Sequence, residues 1–255
     1  MPWSPDQYLK FAGERTRPAA DLLAHVTLDA PGSIADLGCG PGNSTALLKE
    51  RYPNARIAGV DSSPEMLAAA AQDGPPDVEW VQADINVWTP ATPPDLIFAN
   101  ATLQWLPDHA RLLPRLLSLV AVGGALAVQM PRNFDEPSHR IVRDTVEHGP
   151  WADRLRGKGL RQPVPTPQTY YGILESAASR LDIWETEYLH VLSGEDAVLN
   201  WVKGTALTPL LGALEERQRN EFLGVLRRKL GQAYPARLSG VTLFPFRRVF
   251  IIAHR

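Results

Sequence analysis

Five short apolar runs, interleaved with turn residues and stretches of helical spacing, fill the first 130 residues of the chain. A parallel sheet is written this way, because each strand must be carried back over the sheet before the next can pair with it. The expected strands are 33–37, 56–60, 78–83, 95–99 and 125–130. Residues 5–24 read as a leading helix, with Tyr8, Phe11, Ala19, Leu22 and Leu23 available to an inner face. Helices are also expected at 44–51 and 64–72, the second opened by Ser62, Ser63, Pro64 and Glu65, a capping pattern with proline in the first turn. Leu112, Leu113, Leu116, Leu117 and Val120 mark the inner face of one more.

After Met130 the rhythm changes. Six prolines fall between residues 131 and 172, around a charged helical stretch at 136–148, which reads as an inserted helical lid over 131–180. A strand at 181–191, helices at 195–203 and 210–230, and a last strand at 247–253 complete the pattern. The expectation is one α/β domain spanning 1–255: a doubly wound, mostly parallel seven-stranded sheet, with residues 30–130 as the ligand-binding half and 181–255 completing sheet and pocket.

Composition narrows the function classes. Apolar residues make up 44% and charged residues 21%, as in globular proteins, and no run reaches the roughly 18 apolar residues of a membrane span. A net charge of −2 supplies no field toward nucleic acid or an acidic membrane, so neither is an expected partner. One cysteine excludes a disulfide framework and a thiolate metal site. The opening MPWSPDQYLK has neither the basic start nor the apolar core of a signal peptide, so a cytoplasmic protein is expected. Oligomeric state leaves no mark in the sequence, and a monomer is the working expectation.

The densest chemical signal is Asp36-Leu37-Gly38-Cys39-Gly40-Pro41-Gly42, directly after the first strand and before a helix. Glycines there admit a ligand close to the backbone, and the helix start beyond offers unpaired N–H groups, beginning at Asn43. Twenty-three residues past Gly38, at the tip of the second strand, Asp61 is placed to accept both hydroxyls of a ribose, with Ser62 beside it. The dinucleotide fingerprint would need a third glycine at Asn43. The G-x-G-x-G form present suits S-adenosylmethionine, which has no pyrophosphate to cradle.

These residues resemble the motifs of the class I S-adenosylmethionine-dependent methyltransferases. The run 35–42 resembles their first motif and Gly59-Val60-Asp61-Ser62-Ser63 their second. Gln82-Ala83-Asp84-Ile85 resembles the third, and Asp95-Leu96-Ile97-Phe98-Ala99-Asn100 the fourth. The resemblance implies a Rossmann-like fold and a cofactor site of Asp36, Gly38, Gly40, Gly42, Asn43, Asp61, Ser62, Asp84, Ile85 and Asn100, with S-adenosylhomocysteine as the spent product. FAGERTRPAADLLAHV, DLIFANATLQWLPDH, GALAVQMPRNFDEPSH, DIWETEYLH and FPFRRVFIIA resemble more narrowly the branch of that family that methylates a carboxylate of trans-aconitate. The likeness thins between Gly149 and Pro167.

That reaction agrees with what the chain lacks. A carboxylate is ionised at neutral pH and needs no general base to attack a sulfonium methyl group, so no catalytic acid or base is expected and no metal. A small tricarboxylate does need fixed cations, for which bidentate arginine is suited, and arginines outnumber lysines 21 to 5. Arg15 is assigned to the cofactor's carboxylate, and Arg17, Arg132 and Arg247 to the substrate; Arg140, Arg143 and Arg248 are further candidates at lid or sheet-edge positions. Tyr8 and Tyr170 offer hydroxyls, and Gln104 and Trp105 are placed to wall the acceptor pocket. Three alternatives stay open: another small acid or a carrier-bound malonyl group as acceptor, a nicotinamide oxidoreductase, and a non-catalytic cofactor-binding module.

Overall fold

The structure, a computed structural model, describes residues 12–158, 162–204 and 207–255, with side chains from residue 16 onward. Its elements in chain order are α1 (Ala12–His25), β1 (Ser33–Leu37), α2 (Asn43–Arg51), β2 (Arg56–Asp61), α3 (Pro64–Asp73), β3 (Val78–Gln82) and β4 (Leu96–Asn100). A 3-10 turn (Leu103–Trp105), α4 (His109–Leu119), β5 (Ala125–Pro131), α5 (Pro137–Glu147), α6 (Ala152–Leu155) and α7 (Pro167–Leu174) follow. Then come β6 (Arg180–Ser193), α8 (Ala197–Lys203), α9 (Thr208–Gly212), α10 (Glu216–Ala233) and β7 (Val241–His254). The strands form one seven-stranded sheet in the order β3-β2-β1-β4-β5-β7-β6. Strands β1 to β5 pair parallel and β7 pairs antiparallel to β5, so the sheet is mixed at one end. The order reverses at β1 and β4, and in open α/β sheets ligands bind at the carboxyl ends of the strands beside that switch.

Two compact units divide the chain: Ala12–Pro131 with Val164–Thr186 and Arg248–Arg255, and Arg132–Pro163 with Glu187–Arg247. The chain passes between them within β6 and again within β7. In the first unit, Ala35, Leu37, Ile97, Ala99, Leu126, Val128, Met130, Val249 and Ile251 face α4 and α7 and form one apolar core. In the second, Trp151, Trp201, Leu210, Phe222, Leu226, Phe244 and Phe246 gather around α10.

The stretch expected as a lid divides differently. Residues 132–163 belong to the second unit, while α7 joins the sheet core of the first through Tyr170 and Leu174. Thr166 caps α7, accepting from the Thr169 N–H, and Pro167 takes the first helical turn. The helix expected at 210–230 is two, α9 and α10. Strand β7 begins at Val241, six residues before its expected start, and runs through Pro245 with alternate residues buried. Among the described residues no helix is long and apolar enough to cross a membrane.

Candidate active site

Side chains alternate across a strand, so the register fixes which residues share a face. Asp36 lies opposite Gly59, Asp61 opposite Gln82, and Asn100 opposite Gln129, which in turn lies opposite Phe250. These positions occupy the face away from the α4–α7 core. Helix α1 covers part of it: the His25 ring lies tilted against Trp184 at 4.5 Å, and Trp184 stacks on Phe250 at 4.8 Å. Arg51 of α2 ties the end of α1 down through the carbonyls of Leu23 and Val26.

The glycine loop is held from three sides. Gly38 and Cys39 donate backbone N–H groups to the Val60 carbonyl, at 2.7 and 3.2 Å. Gly40 N–H donates to Asp61 Oδ2 at 2.9 Å, while Asp61 Oδ1 accepts from the Ser63 N–H at 2.9 Å. Asp61 thus clamps the loop to the start of α3 and keeps lone pairs for a ribose. Gly38 has φ +67°, and a Cβ there would stand 2.0 Å from Thr102 Oγ1, so the β1 loop and the segment after β4 touch without room for a side chain. Gly40 has φ +54°, and a Cβ there would meet nothing within 4 Å. One glycine packs the loop against β4; the other opens it to a ligand.

Asp36 acts on this loop from below. Its side chain is fully buried, and Oδ2 accepts from Ser44 Oγ at 2.8 Å and Thr45 Oγ1 at 2.6 Å in the first turn of α2. Burial pushes its pKa up to about 6, the two hydroxyls oppose that rise, and the Asp61 charge adds a smaller increase. Oδ2 thus positions the helix start, while Oδ1 is buried without a hydrogen-bond partner. Cys39 is buried and its thiol is held well above its ordinary pKa, by burial first and then by Asp36 and Asp61, so it presents no thiolate.

Beyond the loop the strand ends carry a group of unmatched amides. Asn100 Oδ1, Gln104 Oε1 and both side-chain polar atoms of Gln129 are buried without a hydrogen-bond partner. Each such group costs about 1–3 kcal/mol unless something polar meets it. The Gln104 amide nitrogen donates to the Ala101 carbonyl at 2.5 Å, and Ala101 N–H donates to the Gln129 carbonyl at 2.9 Å, so the three residues are joined through one turn. Ala101 itself sits at φ +52°, a left-handed conformation that costs a residue with a side chain about 1–2 kcal/mol. Arg248 lies opposite Pro131 at the tip of β5, on the same face as Gln129, and is 3% exposed. A guanidinium is charged at every working pH, so this is a buried cation at the sheet's carboxyl edge.

An adenosine-type cofactor fits these residues: the space over Gly40 is open, Asp61 is anchored and partly exposed, and unmatched polar atoms wait on the strand ends beside it. The glycines 38, 40 and 42, Asn43, Asp61, Ser62, Asp84 and Asn100 all lie at or just past the carboxyl ends of the strands. Asp84 is exposed just past β3, its Oδ1 accepting from the Asn86 N–H and side-chain amide at 2.9 Å.

Several assignments need correction. Ile85 turns its side chain into the core, and its carbonyl accepts from Arg115. Tyr170 is 0% exposed, its hydroxyl 2.7 Å from His109 Nδ1, while His109 Nε2 lies 2.9 Å from the Leu103 carbonyl; the pair braces the Leu103–Trp105 turn from the core side. Arg17 is on the outer surface of α1, 72% exposed and 3.9 Å from Asp21. Arg247 belongs to the second unit, where Glu136 and Glu187 each lie 3.7 Å from its guanidinium. Arg132 is in that unit too, its N–H bonded to the Arg247 carbonyl. Arg143 is spent on Phe134, stacking on its ring at 3.8 Å. Trp105 is partly exposed on the turn that carries Gln104. Tyr8 lies outside the described residues, and so does the Arg15 side chain.

Sequence reasoning also passed over two residues. Trp80 fills the space left by Gly59 and Gly74 and reaches Gly42, buttressing the loop; its signal was two glycines that no turn requires. Gln129 reads in the sequence as one residue of a buried strand, and its signal is a lone amide in an apolar run.

Comparison with known proteins agrees with this geometry. A model described as a methyltransferase domain matches residues 34–124. The chain is 54% identical over 253 residues to trans-aconitate 2-methyltransferase of Azoarcus sp. (strain BH72), covering 99% of both. It is 48% identical to the protein of that name from Yersinia pestis (strain Pestoides F), covering 99% of this chain and 98% of the relative. In fold it is similar to a putative methyltransferase from Bacillus halodurans C-125, with TM-score 0.59 at 14% identity over 93% of this chain and 98% of that one. It is also similar to coclaurine N-methyltransferase bound to N-methylheliamine and SAH, with TM-score 0.51 at 14% identity over 96% of this chain and 72% of that one. With near-complete coverage at such identity, the chain belongs to the trans-aconitate 2-methyltransferase family, on the class I methyltransferase fold.

Proposed function

We propose that this protein transfers a methyl group from S-adenosylmethionine to a carboxylate of trans-aconitate, giving a monomethyl ester and S-adenosylhomocysteine. The observation that carries the reading is the carboxyl edge of the sheet, where a loop opened at Gly40 and clamped by Asp61 adjoins amides and a buried arginine. Asp61 suits a ribose, the loop and Asn43 suit the rest of the cofactor, and Arg248 suits a carboxylate of the acceptor. The names of the near-full-length relatives support trans-aconitate as that acceptor.

When bound, S-adenosylmethionine supplies a methyl group made electrophilic by its sulfonium. Attack on that carbon by a carboxylate oxygen would form the C–O bond as the C–S bond breaks, its electron pair going to sulfur. The reacting carboxylate and the sulfur both end neutral, the other two carboxylates keep their charges, and no proton moves. The protein's part is to orient oxygen, carbon and sulfur in line, a contribution worth about 7–11 kcal/mol of barrier, and to keep water out. The Asp61 clamp, the Gly38–Thr102 contact and the His109–Tyr170 brace fix the parts that orientation needs.

Equilibrium binding and turnover test the reading together. S-adenosylmethionine is expected to bind and NADH not to, and label from the donor methyl is expected in trans-aconitate rather than in a malonyl carrier. Transfer to the carrier alone would replace the acceptor, and NADH binding would replace the cofactor.

A further inference from the structure

Gln129 has no assigned role, and its surroundings are unusual for a side chain in the middle of a sheet. It is 0% exposed, and neither its amide oxygen nor its amide nitrogen has a hydrogen-bond partner. Every other residue of β5 is apolar, and β5 lies between β4 and β7. A leucine or methionine there would cost nothing in hydrogen bonding, so this amide runs against the preference of the core. Its register neighbour Asn100 is only partly buried and also carries an unmatched oxygen. Two positions along the same face lies the strand-tip level at which Arg248 sits. Gln129 therefore stands behind Asn100, between the cofactor loop and the buried cation.

Resting on the function proposed above, we propose that the Gln129 amide receives the acceptor carboxylate, the one that is methylated, while Arg248 takes a carboxylate that does not react. The two grips differ in a way the chemistry needs. An arginine fork neutralises a carboxylate and withdraws electron density from the oxygen that must attack. A primary amide donates N–H bonds to the same group without a formal charge, so it orients the anion and leaves it nucleophilic. The Gln129 Nε2 is a neutral donor where the bond forms, and Arg248 is a cation where the substrate is only held. Which carboxylate is esterified then follows from which one reaches Gln129.

The test is Gln129→Met, which keeps the length of the side chain and removes both polar atoms. The expected result is a KM for trans-aconitate raised at least about tenfold, with the Kd of S-adenosylhomocysteine unchanged within about twofold. The melting temperature is expected to hold or rise, since an unmatched buried amide has been replaced by an apolar group. Unchanged KM and kcat would overturn the proposal. So would a lowered melting temperature with wild-type kinetics, which marks a structural residue, or lost cofactor affinity with acceptor kinetics intact. Wild-type protein run alongside separates the two levels: if it fails to methylate trans-aconitate, the substrate reading has fallen. Gln129 is then judged by the thermal shift that other di- and tricarboxylates give to protein saturated with S-adenosylhomocysteine. A shift lost in Gln129→Met supports the role; a shift retained, or no shift in either protein, overturns it.

Discussion

Two glycines of one loop separate folding from function. In Gly40→Ala the new Cβ meets no protein atom within 4 Å, so the cost to the fold is the left-handed torsion alone, about 1–2 kcal/mol. For a chain of this size that lowers the melting temperature by roughly 2–8 °C. The methyl group stands in the space assigned to the cofactor, so the Kd of S-adenosylhomocysteine should rise at least about tenfold, which is 1.4 kcal/mol. In Gly38→Ala the torsional cost is similar, but the Cβ lies 2.0 Å from Thr102 Oγ1 and 2.4 Å from Thr102 Cβ. Overpacking adds about 1–3 kcal/mol, for a total near 2–5 kcal/mol. Thr102→Gly in the same chain removes the clash and should recover the overpacking part but not the torsional part. Thermal denaturation gives the stabilities and titration calorimetry the affinities. Wild-type cofactor affinity in Gly40→Ala would refute the placement of the ligand over that residue. A Gly38→Ala variant no less stable than Gly40→Ala would refute the contact with Thr102.

The remaining predictions concern charge. The folded chain holds the Asp36 proton up to about pH 6, whereas an ordinary aspartate releases it near 3.8, so the folded state binds more protons in that window and stability falls as pH rises through it. The difference amounts to about 3 kcal/mol at neutral pH, and Asp36→Asn should flatten that part of the profile in denaturant melts between pH 4 and 7. Arg248→Lys keeps the charge and loses the fork, and should raise KM for trans-aconitate about 10–100-fold with cofactor Kd unchanged, as read by steady-state kinetics and calorimetry. Arg17→Ala should leave KM within about twofold and stability within about 0.5 kcal/mol, because its pairing with Asp21 is solvent-exposed.

The glycine loop, Asp61 and the five parallel strands were legible because each is encoded locally, in alternation, torsional demand and caps. The edge of the site was less so. Arg247 and Arg248 are adjacent in sequence, and only the register of β7 against β5 decides which faces Gln129's side of the sheet; a shift of one residue exchanges them. Composition cannot show that register. Asp36 reads as a ligand residue from its motif, but only the structure shows that Ser44 and Thr45 in the next helix claim one of its two oxygens. Tyr170 reads as available because α7 is hidden among prolines, two of which flank the capping Thr166, and only the second of these starts the helix. The long β7 was foreshortened because Pro245 removes one ladder donor, while the buried alternation of Thr242, Phe244 and Phe246 continues through it.

The central claim is esterification of trans-aconitate without acid–base chemistry. Its most direct test is mass spectrometry of the acid after incubation with the protein and methyl-labelled S-adenosylmethionine. The account predicts one labelled methyl group per molecule, released by base as methanol, in amounts equal to the S-adenosylhomocysteine formed. Unlabelled trans-aconitate recovered from protein that binds the cofactor tightly would contradict it.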